Sequence, residues 1–291
     1  MTSTATPLIT HPPRLYRFKL FIGRLVPHLI LVFFTIIALF PIVMIVMNSF
    51  KKKPAIFGSP FAFPNSETFS LIGYETVFSR AHFQTYFFNS VIVTISALLL
   101  TLLIGSMASF AISEYSFKGN TLLALYLSIG IMIPIRLGTV GILRLMVSLS
   151  LVNTLVALIL VYIAQALPLT VFILTQFMRQ VPRDLKEAAR LDGASEYQIY
   201  WMVVPLVRPA LGAIGIFTMI PIWNDLWFPL ILAPSSKTAT ITLGTQQFLG
   251  QFVSDWNAVL SSLTMAMIPI LIFYLIFSQQ MIRSITAGAI K

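Results

Sequence analysis

Cysteine is absent from this chain, and histidine occurs only three times, as His11, His28 and His82. Disulfides, thiolate zinc sites and a cysteine nucleophile are therefore excluded, and the histidines are too scattered to suggest a metal cluster. Charge is scarce as well. Asp, Glu, Lys and Arg make up 10% of the 291 residues, where a soluble domain carries roughly 25%. So few charges do not cover the surface of one or two soluble domains of this length. No G-x-x-x-x-G-K-[ST] segment occurs, so the chain has no P-loop to cradle a nucleotide. No convergent acid, base and nucleophile stand out, and the reading assigns no catalytic residue, no metal ligand and no cofactor.

Apolar residues fill the gap, at 57% of the chain with a mean hydropathy of +0.90. About twenty apolar residues cross a bilayer, and six stretches qualify. The expectation is an all-α membrane protein with six transmembrane helices, near 27–47, 87–112, 122–143, 155–177, 209–232 and 258–277. Pro134 and Arg136 interrupt the third, whose outer end is expected to be irregular or interfacial as far as Ser150. Arg14, Arg17, Lys19 and Arg24 lead into the first run, which lacks an A-x-A exit. It therefore reads as a retained span, not a cleaved signal. The expected layout is an N-terminal segment over 1–26, a six-helix transmembrane domain over 27–279 and a tail over 280–291.

The formal net charge is +10, from 19 Lys and Arg against 9 Asp and Glu. These cations sit between apolar runs, where the positive-inside bias and anionic headgroups account for them; nucleic acid is not expected as a partner, and membrane lipid is. Twelve of the 19 fall on the side of the N-terminus and seven on the other. That asymmetry puts both termini in the cytoplasm. Lys51, Lys52 and Lys53 run against it, and read as a solvated loop face or a docking patch on the outer side.

One inner connection is polar and helix-patterned: Val181-Pro182-Arg183-Asp184-Leu185-Lys186-Glu187-Ala188-Ala189-Arg190-Leu191-Asp192-Gly193-Ala194-Ser195-Glu196-Tyr197-Gln198-Ile199. Pro182 suits a first helical position, and Asp184 and Glu187 complement a positive helix end. Gly193 stands where a helix stops in the left-handed conformation. Ser195 and Gln198 form an S-x-x-Q capping box for a second helix, limited by Pro205 and Pro209. Leu185, Ala188, Ala189 and Asp192 share one face of the first helix. Such a face either packs on its own bundle or fits a partner's groove.

Glu187-Ala188-Ala189, then Gly193, Ile199 and Val204-Pro205, resembles the EAA loop of ATP-binding-cassette importer permeases. Phe88-Asn89-Ser90, Glu114-Tyr115-Ser116-Phe117-Lys118-Gly119, Trp223-Asn224-Asp225 and Ile285-Thr286-Ala287-Gly288-Ala289 extend the resemblance over residues 20–291. They are similar to the smaller inner-membrane subunit of maltose-type sugar importers. The resemblance implies a bacterial inner-membrane permease that carries a sugar or sugar-derived solute. It implies a second, homologous permease, two ATPase subunits and a periplasmic or extracellular solute-binding protein as partners. Coupling to the ATPase is implied for Glu187, Ala188, Ala189, Asp192 and Gly193 in the loop 181–205. The tail residues Thr286, Ala287, Gly288 and Ala289 would touch the ATPase dimer. The loop holding Gly244, Gln246, Gln247 and Gly250 would face the binding protein.

Other residues keep two readings. Trp223, Asn224 and Asp225 either line the translocation path or form a Trp-flanked polar cluster that anchors the fifth span near the outer interface. Arg136 reads as a snorkelling interfacial residue or a substrate contact, and Asn89 and Ser90 as a cap for the second span. An ion-gradient-driven transporter is the rival class; it needs intramembrane carboxylates or histidines for coupling, and Asp225 is nearly alone.

Overall fold

A long apolar segment becomes helical in lipid because each backbone N–H must find its acceptor within the segment. The computed structural model describes residues 14–80, 82–246, 248–249 and 255–289. Among them helices dominate, and an isolated antiparallel bridge pairs Lys51 with Phe69. In chain order the helices are α1 (Arg14–Ser49), α2 (Lys53–Gly58), α3 (Ile72–Arg80), α4 (Phe83–Glu114), α5 (Asn120–Met132), α6 (Thr139–Ser148) and α7 (Leu155–Arg179). There follow α8 (Arg183–Leu191), α9 (Glu196–Val203), α10 (Arg208–Asn224), α11 (Trp227–Leu232), α12 (Ile241–Gln246) and α13 (Trp256–Ala289).

Five stretches are long and apolar enough to cross a membrane: Leu25–Ser49, Phe83–Glu114, Leu155–Arg179, Glu196–Asn224 and Trp256–Ile276. The expected third span is two helices meeting at 90°. The break sits at Pro134, where Ile133 is extended as a residue before proline must be. With 13 residues, α5 rises about 20 Å, short of a hydrocarbon core of about 30 Å. Neither expected boundary of the membrane domain coincides with a helix end, since α1 runs through residue 26 and α13 through residue 279.

The centre of the bundle is the crossing of α4 and α7, with α10 against both, α5 on the outer side of α7, and α13 joining α10 to α1 and α3. At that crossing a Cβ on Gly105 would stand 2.4 Å from Thr170 Cγ2, so only glycine lets the backbones approach this closely. Val93, Ala97, Leu158, Val161, Tyr162 and Phe228 fill one core. Phe110, Met178, Val181, Ile199, Tyr200 and Val203 fill another beneath α8 and α9.

Two expectations need correction here. Asn89 and Ser90 do not cap the second span, because α4 begins at Phe83 and carries them inside it. Asn89 Nδ2 donates instead to the carbonyls of Lys237 and Ala239, each at 3.0 Å, and Ser90 Oγ accepts from the Ile241 amide at 2.8 Å. They tie the segment before α12 to the bundle. Lys51 is no part of a solvated face: it is 1% exposed, and its ammonium donates to the carbonyls of Ser59 and Pro60 at 2.9 and 3.3 Å. Burial draws its pKa below the usual lysine value. Lys52 and Lys53 remain exposed.

Candidate functional site

The connection from α7 to α10 forms a helical hairpin whose geometry is written in its caps. Pro182 is the N-cap of α8, one position earlier than expected, and Asp184 lies in the first turn. Gly193 has φ +83°. Its N–H donates to the Arg190 carbonyl at 3.0 Å and that of Ala194 to the Ala189 carbonyl at 2.9 Å, the paired closure of a Schellman turn. Ser195 and Gln198 then close the expected capping box, with Ser195 N–H donating to Gln198 Oε1 at 2.7 Å. The two hydrogen-bonded closures follow one another directly, from Ala189 to Ala194 and from Ser195 to Gln198, so the angle between α8 and α9 is tightly set.

The hairpin is pinned to the bundle by charge. Lys186 is 4% exposed, and its ammonium donates to Glu114 Oε2 at the end of α4. Arg190 Nη2 donates to the other oxygen of Glu114 at 2.7 Å, and its Nε to Glu196 Oε1 at 2.8 Å. Tyr115 closes the chain by donating to Glu196 Oε2 at 2.7 Å. Burial, and then the bond to the Glu196 carboxylate, push the Tyr115 phenol up to about 12. Hydrogen bonds to Glu196 and Glu114 push the Arg190 guanidinium further above its already high value. Both groups therefore keep one protonation state across the physiological range. Tyr200 adds an uncharged anchor, its hydroxyl 2.7 Å from Ser106 Oγ within α4.

Held this way, α8 turns Leu185, Glu187, Ala188 and Asp192 outward, together with Leu191 at 88% exposure. Among the described residues Glu187 has no ion-pair partner. Of the four residues expected to share a face, Ala189 alone is turned inward, half-buried against the core beneath the hairpin. Sequence reasoning missed Glu114 and Arg190 as anchors. The available signal was an acid at the end of one span and two cations spaced i, i+4 on the loop helix.

At the opposite end of the bundle the three neighbours Trp223, Asn224 and Asp225 part company. Trp223 is buried, with Nε1 donating to the Ala266 carbonyl at 3.1 Å. Asn224 is exposed and donates to Ile220 of its own helix. Asp225 sits in the break between α10 and α11, where its carboxylate accepts from the Phe228 amide at 3.0 Å, the Trp227 amide at 3.3 Å and the Tyr162 hydroxyl at 2.9 Å. Arg136, just past the Pro134 break, reaches the same carboxylate at 3.4 Å and lies 5.9 Å from the Trp227 ring centroid. The structure thus joins Asp225 to Arg136, Tyr162 and Trp227, not to its sequence neighbours.

In the loop expected to face a binding protein, Gln246 is exposed but Gly244 is buried. A Cβ on Gly244 would stand 2.2 Å from Tyr86 Cδ2, so this glycine serves the packing of α12 on α4 and offers no surface. Gln247 and Gly250 lie outside the described residues. Thr286, Ala287, Gly288 and Ala289 fall in the last turns of α13, with their side chains outside the described set.

Known proteins resemble this chain in sequence and in fold. Residues 101–286 match the family model described as binding-protein-dependent transport system inner membrane component. A diacetylchitobiose uptake system permease of Streptomyces coelicolor is 31% identical over 91% of this chain and 88% of its own length. A trehalose/maltose transport system permease of Thermococcus litoralis is 33% identical over 88% of this chain and 92% of its own. A crystal structure of a bacterial transporter that imports the polysaccharide alginate has a chain of the same fold, with a TM-score of 0.75 at 21% identity, covering 93% of this chain and 99% of that one. On the extent and identity of these matches, the chain is a multi-pass membrane protein that belongs to the family of inner-membrane components of binding-protein-dependent transport systems.

Proposed function

We propose that this chain is one of two permease subunits lining the path of an ATP-driven sugar importer. ATPase subunits bind α8, and an external binding protein delivers the solute. The observation that carries this reading is the hairpin: an exposed face of Glu187, Ala188 and Asp192 on a helix that is itself locked to α4 through Glu114. A face offered outward on a fixed support passes force to the bundle; a loop helix packed on its own core does not. The free energy has to come from a partner, because the chain carries no P-loop. The names of its relatives, which take up diacetylchitobiose, trehalose or maltose, support a saccharide as cargo. The excess of cations on the hairpin side supports placing that side and both termini in the cytoplasm.

The test uses the full assembly in proteoliposomes with Glu187→Ala combined with Gly193→Val. Loss of Glu187 removes a charge-assisted contact worth about 1.5–3 kcal/mol. A β-branched residue at φ +83° costs at least about 1–2 kcal/mol. The double variant is expected to insert normally but to lose ATPase subunits or hydrolyse ATP without uptake. Full subunit recovery with coupled uptake overturns the proposal, and uptake that follows an ion gradient while ATP persists transfers it to the rival class.

A further inference from the structure

Beside the hairpin, the end of α4 and the turn after it, α5, the end of α7 and the start of α8 line an open cleft of about 770 Å³. Three cations line it. Glu114 also lines it, but its two oxygens are taken by Lys186 and Arg190. Arg179 and Arg183 have no ion-pair or hydrogen-bond partner among the described residues. Two uncompensated guanidinium groups therefore face a space that Ser116, Thr121 and Ser128 supply with hydroxyls.

The cleft continues inward as a slot of about 100 Å³ between α5 and α7, with Ser128 and Arg179 lining both. Thr175 lines the slot, is 5% exposed, and its hydroxyl has no partner. That hydroxyl is free to donate to an oxygen entering the slot, as the hydroxyls of Thr101, Thr170 and Thr240 are at their own places in the bundle. On the other side, Leu125 joins the cleft to an exposed apolar stripe of Leu122, Tyr126 and Ile129. Paired cations at the level of the helix ends, hydroxyls below them and an apolar stripe alongside match the headgroup, glycerol backbone and acyl chain of one molecule.

We propose that this cleft binds an anionic phospholipid, with Arg179 and Arg183 on the phosphate and an acyl chain along α5. A lipid there would sit against the helix that carries the hairpin and brace it from the membrane side.

The test is native mass spectrometry and thermal unfolding of the purified assembly. It would be reconstituted in discs of phosphatidylcholine alone or with added phosphatidylglycerol. The wild type should retain phosphatidylglycerol over phosphatidylcholine and unfold at higher temperature when it is present, less so at high salt. Arg179→Gln with Arg183→Gln should lower that preference about fivefold per arginine, and the two Lys replacements should keep most of it. Thr121→Glu, which suits a helix N-terminus, should repel the phosphate without harming α5. Unchanged phosphatidylglycerol retention in either charge variant overturns the proposal. Stabilisation of phosphatidylcholine discs by millimolar inorganic phosphate alone, lost in the Gln variant, overturns it in favour of a free-anion site.

Discussion

Glu114, the last residue of α4, takes the ammonium of Lys186 from α8 on one oxygen and the guanidinium of Arg190 on the other. A carboxylate that is nearly buried and shared by two cations is stable only while both remain. Removing one member of a buried pair costs about 3–5 kcal/mol, whereas replacing the pair by apolar groups of similar size is often neutral. Glu114→Gln should therefore lower the unfolding temperature and weaken uptake. Glu114→Gln with Lys186→Met should recover much of the stability. Circular dichroism melts in detergent provide the check, and a double variant as unstable as the single would show that the pair is not the anchor.

The helix crossing at Gly105 admits no side chain. Gly105→Val should force α4 and α7 apart and cost about 1–3 kcal/mol or more, as overpacking does. Thr170→Gly, which removes the Cγ2 in the way, should restore part of it. Heat-induced aggregation of the solubilised protein measures both. Independent, additive losses would count against a direct clash.

Asp225 is bonded to two backbone amides, a phenol and a guanidinium. Asp225→Asn keeps an acceptor for the amides and should retain most stability, while Asp225→Ala leaves the Trp227 and Phe228 amides and the Tyr162 hydroxyl without their acceptor and should cost about 1–3 kcal/mol. If the carboxylate also serves transport, Asp225→Asn should change uptake kinetics at unchanged complex yield. Wild-type uptake in that variant assigns the residue to structure alone.

Orientation has a direct readout, because the chain has no native cysteine. Leu191→Cys and Phe63→Cys replace highly exposed residues on opposite sides. An impermeant maleimide applied to cells whose outer barrier is opened should label position 63 and spare position 191. The reverse pattern would invert the topology and with it the cytoplasmic hairpin.

What could be read from residues alone was what residues decide locally. Gly193, Ser195 and Gln198 act within one turn of themselves, so the cap and the reversal were legible, as was the break at Pro134. Asn89 and Ser90 were not. Their partners lie about 150 residues away, and a polar pair near an apolar run looks like a cap until the irregular segment before α12 is seen against it. Lys51 misled for another reason: its acceptors, the carbonyls of Ser59 and Pro60, are close in the chain, but backbone carbonyls carry no signature in sequence. Gly244 looked like a loop glycine because nothing local announces the ring of Tyr86 above it. Asp225 stood out in sequence as an acid beside an apolar run, but its association with Arg136 depends on the break at Pro134, which only the fold shows against it.

The position of α1 bears on how the protein is made. From Leu29 to Phe40 its large apolar side chains are exposed on every side, and its main neighbour is α13, synthesised more than 200 residues later. Asn257 Nδ2 holds the Lys51 carbonyl at 2.6 Å and Ser261 Oγ the Ser49 carbonyl at 3.4 Å, across more than 200 residues of chain. At about 5–20 residues per second, the first helix waits at least about ten seconds for those contacts. A helix with a polar stripe would spend that interval with the stripe against hydrocarbon, or paired with whatever else was nascent in the translocon. Being apolar around its circumference from Leu29 to Phe40 lets that part of α1 stand alone in lipid until its partner is synthesised.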